Sequence, residues 1–396
     1  MKTLDDLKDV KGKLVLLRLD LNVPVDDNGN VTDTTRIDRV KDTVSELQGQ
    51  GARIAILSHF GRPKGQKNMD YSLSFLPPIL QKQWGLGVSF TDDCLAEPSL
   101  KDGDVTLMEN VRFYEGEEAC TPDFTSKLAG GAADIFVNDA FSASHRVHAS
   151  TEGLAHALPA YAGRALEAEM NALESGLGDP DRPVAAIVGG AKISTKLDVL
   201  NNLVNKVDVL ILGGGMANTF LYAMGAELGQ SLCEKDMKDQ ALEIIEAAQA
   251  AGCALMLPMD GKAAVEFKPN ADFDVVAMTA VPDDRMVLDI GEQSIEAINQ
   301  IINQCKTLVW NGPFGVFEMT PFDEGTVKVA NHVATRVKAG ELKAIAGGGD
   351  TVSALNHAGV MNDMSYVSTA GGAFLEWLEG KDLPAIAALD MMDDEE

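Results

Sequence analysis

Five arginines and a histidine, Arg18, Arg36, His59, Arg62, Arg112 and Arg146, carry the chemistry the first half of this chain is best stocked for. Eight of the eleven arginines lie before residue 165, so the charge is placed rather than scattered. Guanidinium forks grip carboxylates and phosphates through paired hydrogen bonds. Cations drawn to one place repel each other unless an anion fills the gap. Asp20 and Asn22 can add an acceptor and a donor for a hydroxyl of the same ligand. As turn formers before Pro24 they have an equally simple structural reading. The ligand expected here is small and bears a hydroxyl with a carboxylate or phosphate. Asp139 has a competing, purely structural reading as the ion-pair partner of Arg146.

The second half offers glycine instead. Gly189-Gly190-Ala191-Lys192, Gly213-Gly214-Gly215, Gly347-Gly348-Gly349-Asp350-Thr351 and Ala370-Gly371-Gly372 each follow an apolar run. Such turns let backbone N–H groups approach phosphates at a helix start. Lys192 and Lys196, four apart, are expected on neighbouring helical positions, where two cations near an N-terminus are unfavourable until an anion joins them. Asp350 or Thr351 reads either as an ordinary N-cap or as part of a phosphate cradle, with Asp350 near a magnesium ion. The loop Trp310 to Glu318, including Asn311 and Pro313, can hold a flat base while Glu318 accepts from ribose hydroxyls. Its alternative is a tight turn with core aromatics. Gly130-Gly131 reads as a helix C-cap.

These residues need strands to present them. Near-continuous apolar runs at Leu14–Leu19, Arg53–Leu57, Val105–Met108, Ile135–Asn138, Val184–Val188, Val207–Leu212, Ala254–Leu257, Thr307–Trp310, Lys343–Ala346 and Tyr366–Ser368 predict strands buried on both faces. Helical spacing predicts helices over Arg36–Gln48, Asp236–Ala250 and Asp323–Lys338. The alternation means α/β with parallel sheets. Almost every polar cluster follows a strand, Ser58-His59-Phe60-Gly61-Arg62 among them, which is where open α/β sheets bind ligands. The domain boundary is expected between a helix around Arg164–Leu177 and the strand at Val184, across a glycine- and proline-rich join.

With 396 residues the chain exceeds one ordinary core, and two domains are expected. A formal charge of −27 repels nucleic acid and anionic membranes, so no partner of either kind is expected. Five widely spaced cysteines argue against a zinc site or disulfide framework. The opening stretch, with Asp5, Asp6 and Asp9, is no secretory signal, and no apolar run is long enough to span a membrane. The expected compartment is the cytoplasm, and Asp393 to Glu396 read as a solvated tail. There is no Gly-x-x-x-x-Gly-Lys-Ser/Thr and no complete Gly-x-Gly-x-x-Gly. A dinucleotide-dependent oxidoreductase and a non-catalytic nucleotide-binding protein are the competing readings. The first lacks its glycine fingerprint, and the second leaves the arginines unexplained.

From Arg18-Leu19-Asp20-Leu21-Asn22-Val23-Pro24 to Gly380-Lys381-Asp382-Leu383-Pro384 the sequence closely resembles the phosphoglycerate kinase family. The resemblance implies two Rossmann-like lobes joined by an interdomain helix and hinge, with residues 1–168 and 379–396 in one and 169–378 in the other. It implies a 3-phosphoglycerate site at Asp20, Asn22, Arg36, His59, Phe60, Gly61, Arg62, Arg112 and Arg146. It implies a nucleotide site at Lys196, Gly213, Asn311, Pro313, Glu318, Gly348, Gly349, Asp350 and Thr351. Catalysis would fall to Arg36, Lys192, Lys196, Gly371 and Gly372, with Mg2+ at Asp350. The implied reaction is reversible phosphoryl transfer between 1,3-bisphosphoglycerate and ADP, giving 3-phosphoglycerate and ATP, by a monomer. Two departures stand out. The family usually has Gly where this chain has Ala370, which would be strained if that position needs positive φ. Phe141-Ser142-Ala143-Ser144-His145-Arg146 replaces a more usual Phe-Gly-Thr-Ala-His-Arg and predicts altered loop mobility.

Overall fold

The computed structural model describes residues 1–391, so the expected tail at Asp393 to Glu396 lies outside the described residues. The chain divides into two compact units. One holds Met1–Met170 together with the segment from Asp382 onward, and the other holds Asn171–Lys381.

The first unit is built on β1 (Leu14–Leu19), β2 (Arg53–Leu57), β3 (Ser89–Thr91), β4 (Val105–Met108), β5 (Ile135–Asp139) and β6 (Ala160–Ala162). They form one parallel sheet in the order β3-β4-β2-β1-β5-β6. Every residue of β1, β4 and β5 is buried, as unbroken apolar runs require of strands covered on both faces. The edge strands β3 and β6 are three residues long and carry too little pattern to be read from sequence. The helix expected over Arg36–Gln48 is two helices, Thr35–Arg39 and Lys41–Gly49, joined at Val40 (φ −94°, ψ 1°). Ile37, Val40, Val44 and Leu47 are all buried, so one apolar stripe continues through the break. The C-terminal helix Pro384–Asp390 packs within this unit; Ala385 N–H donates to Ser144 O at 3.1 Å. The unit boundary falls inside the helix Arg164–Leu173, which gives way to a wider π-type turn at Glu174–Gly178.

The second unit runs β7 (Val184–Val188), β8 (Val209–Leu212), β9 (Glu227–Leu228), β10 (Ala254–Met256), β11 (Asp260–Ala264), β12 (Phe273–Ala277), β13 (Ala280–Val281), β14 (Met286–Ile290), β15 (Thr307–Asn311), β16 (Lys343–Gly347) and β17 (Tyr366–Ser368). Its main sheet is parallel in the order β10-β8-β7-β15-β16-β17. A separate antiparallel sheet, β12-β11-β14, and the short pair β13-β9 are additions that sequence patterning did not anticipate. β12 is largely exposed and β11 reads Asp-Gly-Lys-Ala-Ala, so neither shows a buried-strand run. The helix Glu292–Gln304 buries Ile295, Ile298 and Ile302, and Glu324–Lys338 buries Val329 and Val333, at helical spacing against the main sheet's core. Among the described residues no helix is long and apolar enough to cross a membrane.

Candidate active site

In the first unit the polar residues at the carboxyl ends of the strands form one hydrogen-bonded chain. Arg36 Nη1 donates to Asp20 Oδ2 at 2.7 Å and to Asn22 O at 3.1 Å. Asn22 N–H donates to Asp20 Oδ1, and Gly61 N–H donates to Asn22 Oδ1, both at 3.0 Å. Arg112 Nη1 then donates to Gly61 O at 2.9 Å. Asp20, Asn22, Gly61, Arg36 and Arg112 are thus brought together from four segments. Arg112 is buried and its Nε lies 3.2 Å from Glu118. Burial pulls its acidity constant down to about 10, which leaves it charged at neutral pH. Arg146 is half-buried, with Nε donating to His145 Nε2 at 3.1 Å, and Arg62 is exposed. The Phe60 ring packs edge-on against Phe75 at 5.2 Å.

Two expectations change. Arg18 does not belong to an open anion cluster: it is fully buried and spends its donors on Ser150, Leu19 and His59. Asp139 does not pair with Arg146. It accepts from Thr43 Oγ1 at 2.6 Å and from Leu166 N–H at 2.7 Å, anchoring the helix that leaves this unit.

Three supports were missed. Ser58 Oγ accepts from Leu21 N–H and donates to Leu19 O, tying the ends of β1 and β2 together. Asn110, fully buried, donates to Phe60 O and Tyr71 O at 2.8 Å each and so shapes the His59–Arg62 loop. Ser142, in the segment that departs from the family pattern, donates its hydroxyl to Asp20 Oδ2. The only sequence signal for these was position: each sits at or just past a strand end.

The second unit presents backbone. The turns after β7 and β15 interlock so closely that a Cβ on Gly189 would lie 2.0 Å from Pro313 O, and one on Gly312 (φ +109°) 2.3 Å from Gly189 O. Only glycine permits both. Gly213 precedes the helix Gly214–Ala223, Gly348 (φ +96°) precedes Gly349–His357, and Gly371 opens Gly371–Leu378. Thr351 Oγ1 accepts from Gly312 N–H at 2.7 Å, and Asn311 Nδ2 donates to Gly347 O at 2.8 Å. Ala370 has φ −95°, ordinary for an L-residue, so the suspected strain is absent.

The lysine pair differs from expectation. Lys192 is extended and exposed, a short 3-10 turn (Ile193–Thr195) follows, and Lys196 caps the helix Leu197–Leu203. The two are not neighbours on one helix. Lys196 folds back, its Nζ donating to Asn311 Oδ1 at 2.5 Å, Gly189 O at 2.8 Å and Asn311 O at 3.1 Å. Burial lowers its acidity constant to about 8, against a smaller opposing pull from Asp350. An anion bound beside it would further favour the charged form.

Two cavities adjoin here. One of about 230 Å3 is lined by Lys196, Asn311, Gly348, Thr351 and Gly371. The other, about 440 Å3, is lined by Gly214, Pro313, Phe314, Glu318 and Phe267. Asp350 borders both. The first brings one lysine and the Asp350 carboxylate together among glycine turns, and the second is mostly apolar with an exposed carboxylate at Glu318. Behind the loop, buried Asp289 accepts from Gly325 N–H at 2.7 Å and from Ile290 N–H at 2.9 Å. Lys262 holds Glu324 at 2.8 Å beside it. These supports come from the antiparallel insertion and escaped the sequence reading with it.

An arginine-bearing strand end in one α/β unit and a glycine-turn, lysine-bearing strand end in another describe the class of two-unit proteins that bind an anionic metabolite and a nucleotide. Comparison with known proteins gives the family. A family model described as phosphoglycerate kinase matches residues 4–381. The phosphoglycerate kinase of Rhizobium meliloti (strain 1021) is 58% identical over 394 residues, 98% of each chain. Among solved structures, phosphoglycerate kinase from Coxiella burnetii superposes with a TM-score of 0.94 at 41% identity, over 98% of this chain and 99% of that one. The enzyme from Pyrococcus horikoshii OT3 gives 0.79 at 27% identity, over the whole of both chains. The chain belongs to the phosphoglycerate kinase family.

Proposed function

We propose that this enzyme's reaction, reversible phosphoryl transfer from 1,3-bisphosphoglycerate to ADP, is carried by the two strand-end sites described above. The first unit takes 3-phosphoglycerate or its acyl phosphate at Asp20, Asn22, Arg36, His59, Arg62, Arg112 and Arg146. The second takes ADP or ATP, with the phosphates in the Lys196 cavity and the base and ribose in the apolar one near Pro313 and Glu318. The observation that carries this reading is the pairing of those two adjoining cavities, one of glycine turns around Lys196 and one larger and mostly apolar, meeting at Asp350.

Read toward ATP consumption, a carboxylate attacks the terminal phosphorus. A carboxylate is already ionised at neutral pH, so no general base is needed. The remaining task is positioning and neutralisation of charge. Arg36, oriented by Asp20, and Lys196 face the transferring group. The N–H groups of Gly371 and Gly372, at the start of their helix, add donors. Exposed Lys192 contributes a further positive charge.

Asp350 fits a role toward Mg2+. It is an exposed carboxylate on the rim of the phosphate cavity, and among the described residues no group of three or more His, Cys, Asp or Glu gathers as a metal site of its own. One carboxylate plus phosphate oxygens is an ordinary magnesium set. The ion, when bound, neutralises phosphate charge.

An acyl phosphate must be kept from water, which calls for closure of the two units about the segment near residues 164–183. A monomeric, cytoplasmic enzyme completes the reading. The test is a coupled assay of ATP formation from 1,3-bisphosphoglycerate, ADP and Mg2+, with small-angle scattering on the liganded protein. Turnover that collapses on chelation, together with a smaller radius when both substrates are bound, is expected. An unchanged radius defeats closure.

A further inference from the structure

Behind His59 lies a buried network that the reaction as described does not use. Arg18 on β1 has no exposure. Its Nε donates to Ser150 Oγ at 2.8 Å, its Nη1 donates to Leu19 O, and its Nη2 lies 2.9 Å from His59 Nδ1. Ser150 is held in turn by Glu117, with Oγ donating to Oε1 at 2.6 Å and its N–H donating to Oε2 at 2.9 Å. With its proton committed to Glu117, Ser150 can only accept from Arg18. Glu117 is fully buried; burial pushes its carboxyl above the ordinary range, and the Arg18 guanidinium and the two Ser150 hydrogen bonds pull against that.

A guanidinium has five donors and no acceptor. Nδ1 of His59 must therefore be the accepting atom and carries a lone pair. The ring's single proton then sits on Nε2, and the ring is neutral. Its surroundings agree. His59 is buried, and the charged or titratable groups acting on it are Arg18, Arg112, Arg36 and His148, with burial the largest influence; all disfavour an imidazolium. His148 stands 3.8 Å from Glu117 on the far side of the network.

We propose that Arg18 is a positioning residue that fixes His59 as the neutral Nε2–H tautomer, giving the anion site a donor that adds no charge and cannot accept. This rests on the assignment of His59 to the 3-phosphoglycerate site. A neutral donor keeps its hydrogen bond to a substrate oxygen as pH varies, and it spares the arginines another repulsive neighbour.

Long-range proton–nitrogen NMR of the wild-type enzyme decides the tautomer, with His59→Gln used to assign His59 among the six histidines. Nδ1 is expected to resonate as an unprotonated nitrogen and Nε2 as a protonated one, unchanged between about pH 8 and about pH 5.5. A proton on Nδ1, or an imidazolium near pH 7, overturns the proposal. Addition of 3-phosphoglycerate should shift Nε2. A correct tautomer without that shift removes the site assignment and leaves the lock standing. In Arg18→Met/Glu117→Gln, which leaves no buried charge unpaired, His59 should show mixed Nδ1–H and Nε2–H tautomers while the ring stays neutral, because burial and Arg112 still disfavour the imidazolium. KM for 3-phosphoglycerate should rise about tenfold, with KM for ATP changed less than about twofold. A double variant with the wild-type tautomer pattern also overturns the proposal. Should it not fold, the wild-type spectrum still decides.

Discussion

At the strand ends of the first unit, side chains hold side chains: Asp20 orients Arg36, Asn22 holds Gly61, and Arg18 sits on His59. At the strand ends of the second, backbone packs on backbone: Gly189 and Gly312 touch through atoms no other residue would allow, and Lys196 points at carbonyls. The contrast matches the ligands proposed for each. A small hydroxy acid has few atoms, and directed charges must fix each one. A nucleotide brings a chain of phosphates and a flat base, and rows of amides beside an apolar cavity serve it. Both sites must also reverse, locally, the field of a chain whose formal charge is −27.

Four substitutions would break or sharpen that contrast. Arg36→Ala, which removes a charge and the hydrogen bonds to Asp20 and Asn22, should lower kcat on the order of 10³-fold with nucleotide affinity held within about twofold. Steady-state kinetics and calorimetric ADP binding measure both, and undiminished turnover removes Arg36 from the reacting phosphoryl. Lys196→Met should come next, with a loss of about 10²-fold in kcat/KM for nucleotide. Its pH behaviour is the sharper reading. The depressed acidity constant, about 8, means the free enzyme loses this positive charge as pH rises through 8. Nucleotide binding favours the charged form, so KM for ADP should climb above that pH in the wild type and stay flat in Lys196→Met. A flat wild-type profile contradicts the burial argument.

Gly348→Ala tests the backbone side. It places a side chain at φ +96° and a Cβ 2.6 Å from Asn311 Nδ2, the group that holds Gly347. A stability loss of about 1–3 kcal/mol is expected, with weaker nucleotide binding and unchanged 3-phosphoglycerate binding. Thermal unfolding with and without ATP separates the two effects. Ala370→Gly should do least. At φ −95° the alanine is unstrained, so the change is expected to cost less than about 1 kcal/mol, through the unfolded chain, with kcat intact. A gain in stability would mean the position had wanted glycine.

Much of the framework of both proposed sites is legible in the residues themselves. The strands β1, β2, β4, β7 and β17 lie where their apolar runs placed them, because burial on both faces leaves an uninterrupted signature. Polar clusters stand at or just past the strand ends, Asp20 after β1, Asn311 at the end of β15 and Asp350 shortly after β16. Less could be read where a residue's task depends on distant partners. Arg18 looked like its fellow arginines; its burial depends on Ser150 and Glu117, more than ninety residues away. Lys192 and Lys196 looked like a helical pair until a 3-10 turn separated them. The antiparallel insertion, with exposed valines and a glycine-alanine strand, had no periodicity to show.

Sequence by itself determined the periodic and the compositional: two sets of buried parallel strands, arginine placed early, glycine placed late, and enough ordered motif to mark the family. Tertiary structure alone decided which cations are open to a ligand and which are spent inside, which proton His59 keeps, and that Ala370 is at ease. The physical reason is range. Apolar periodicity and turn chemistry are written over a few neighbouring residues, whereas hydrogen-bond partners and desolvation are set by groups that only folding brings within 3 Å.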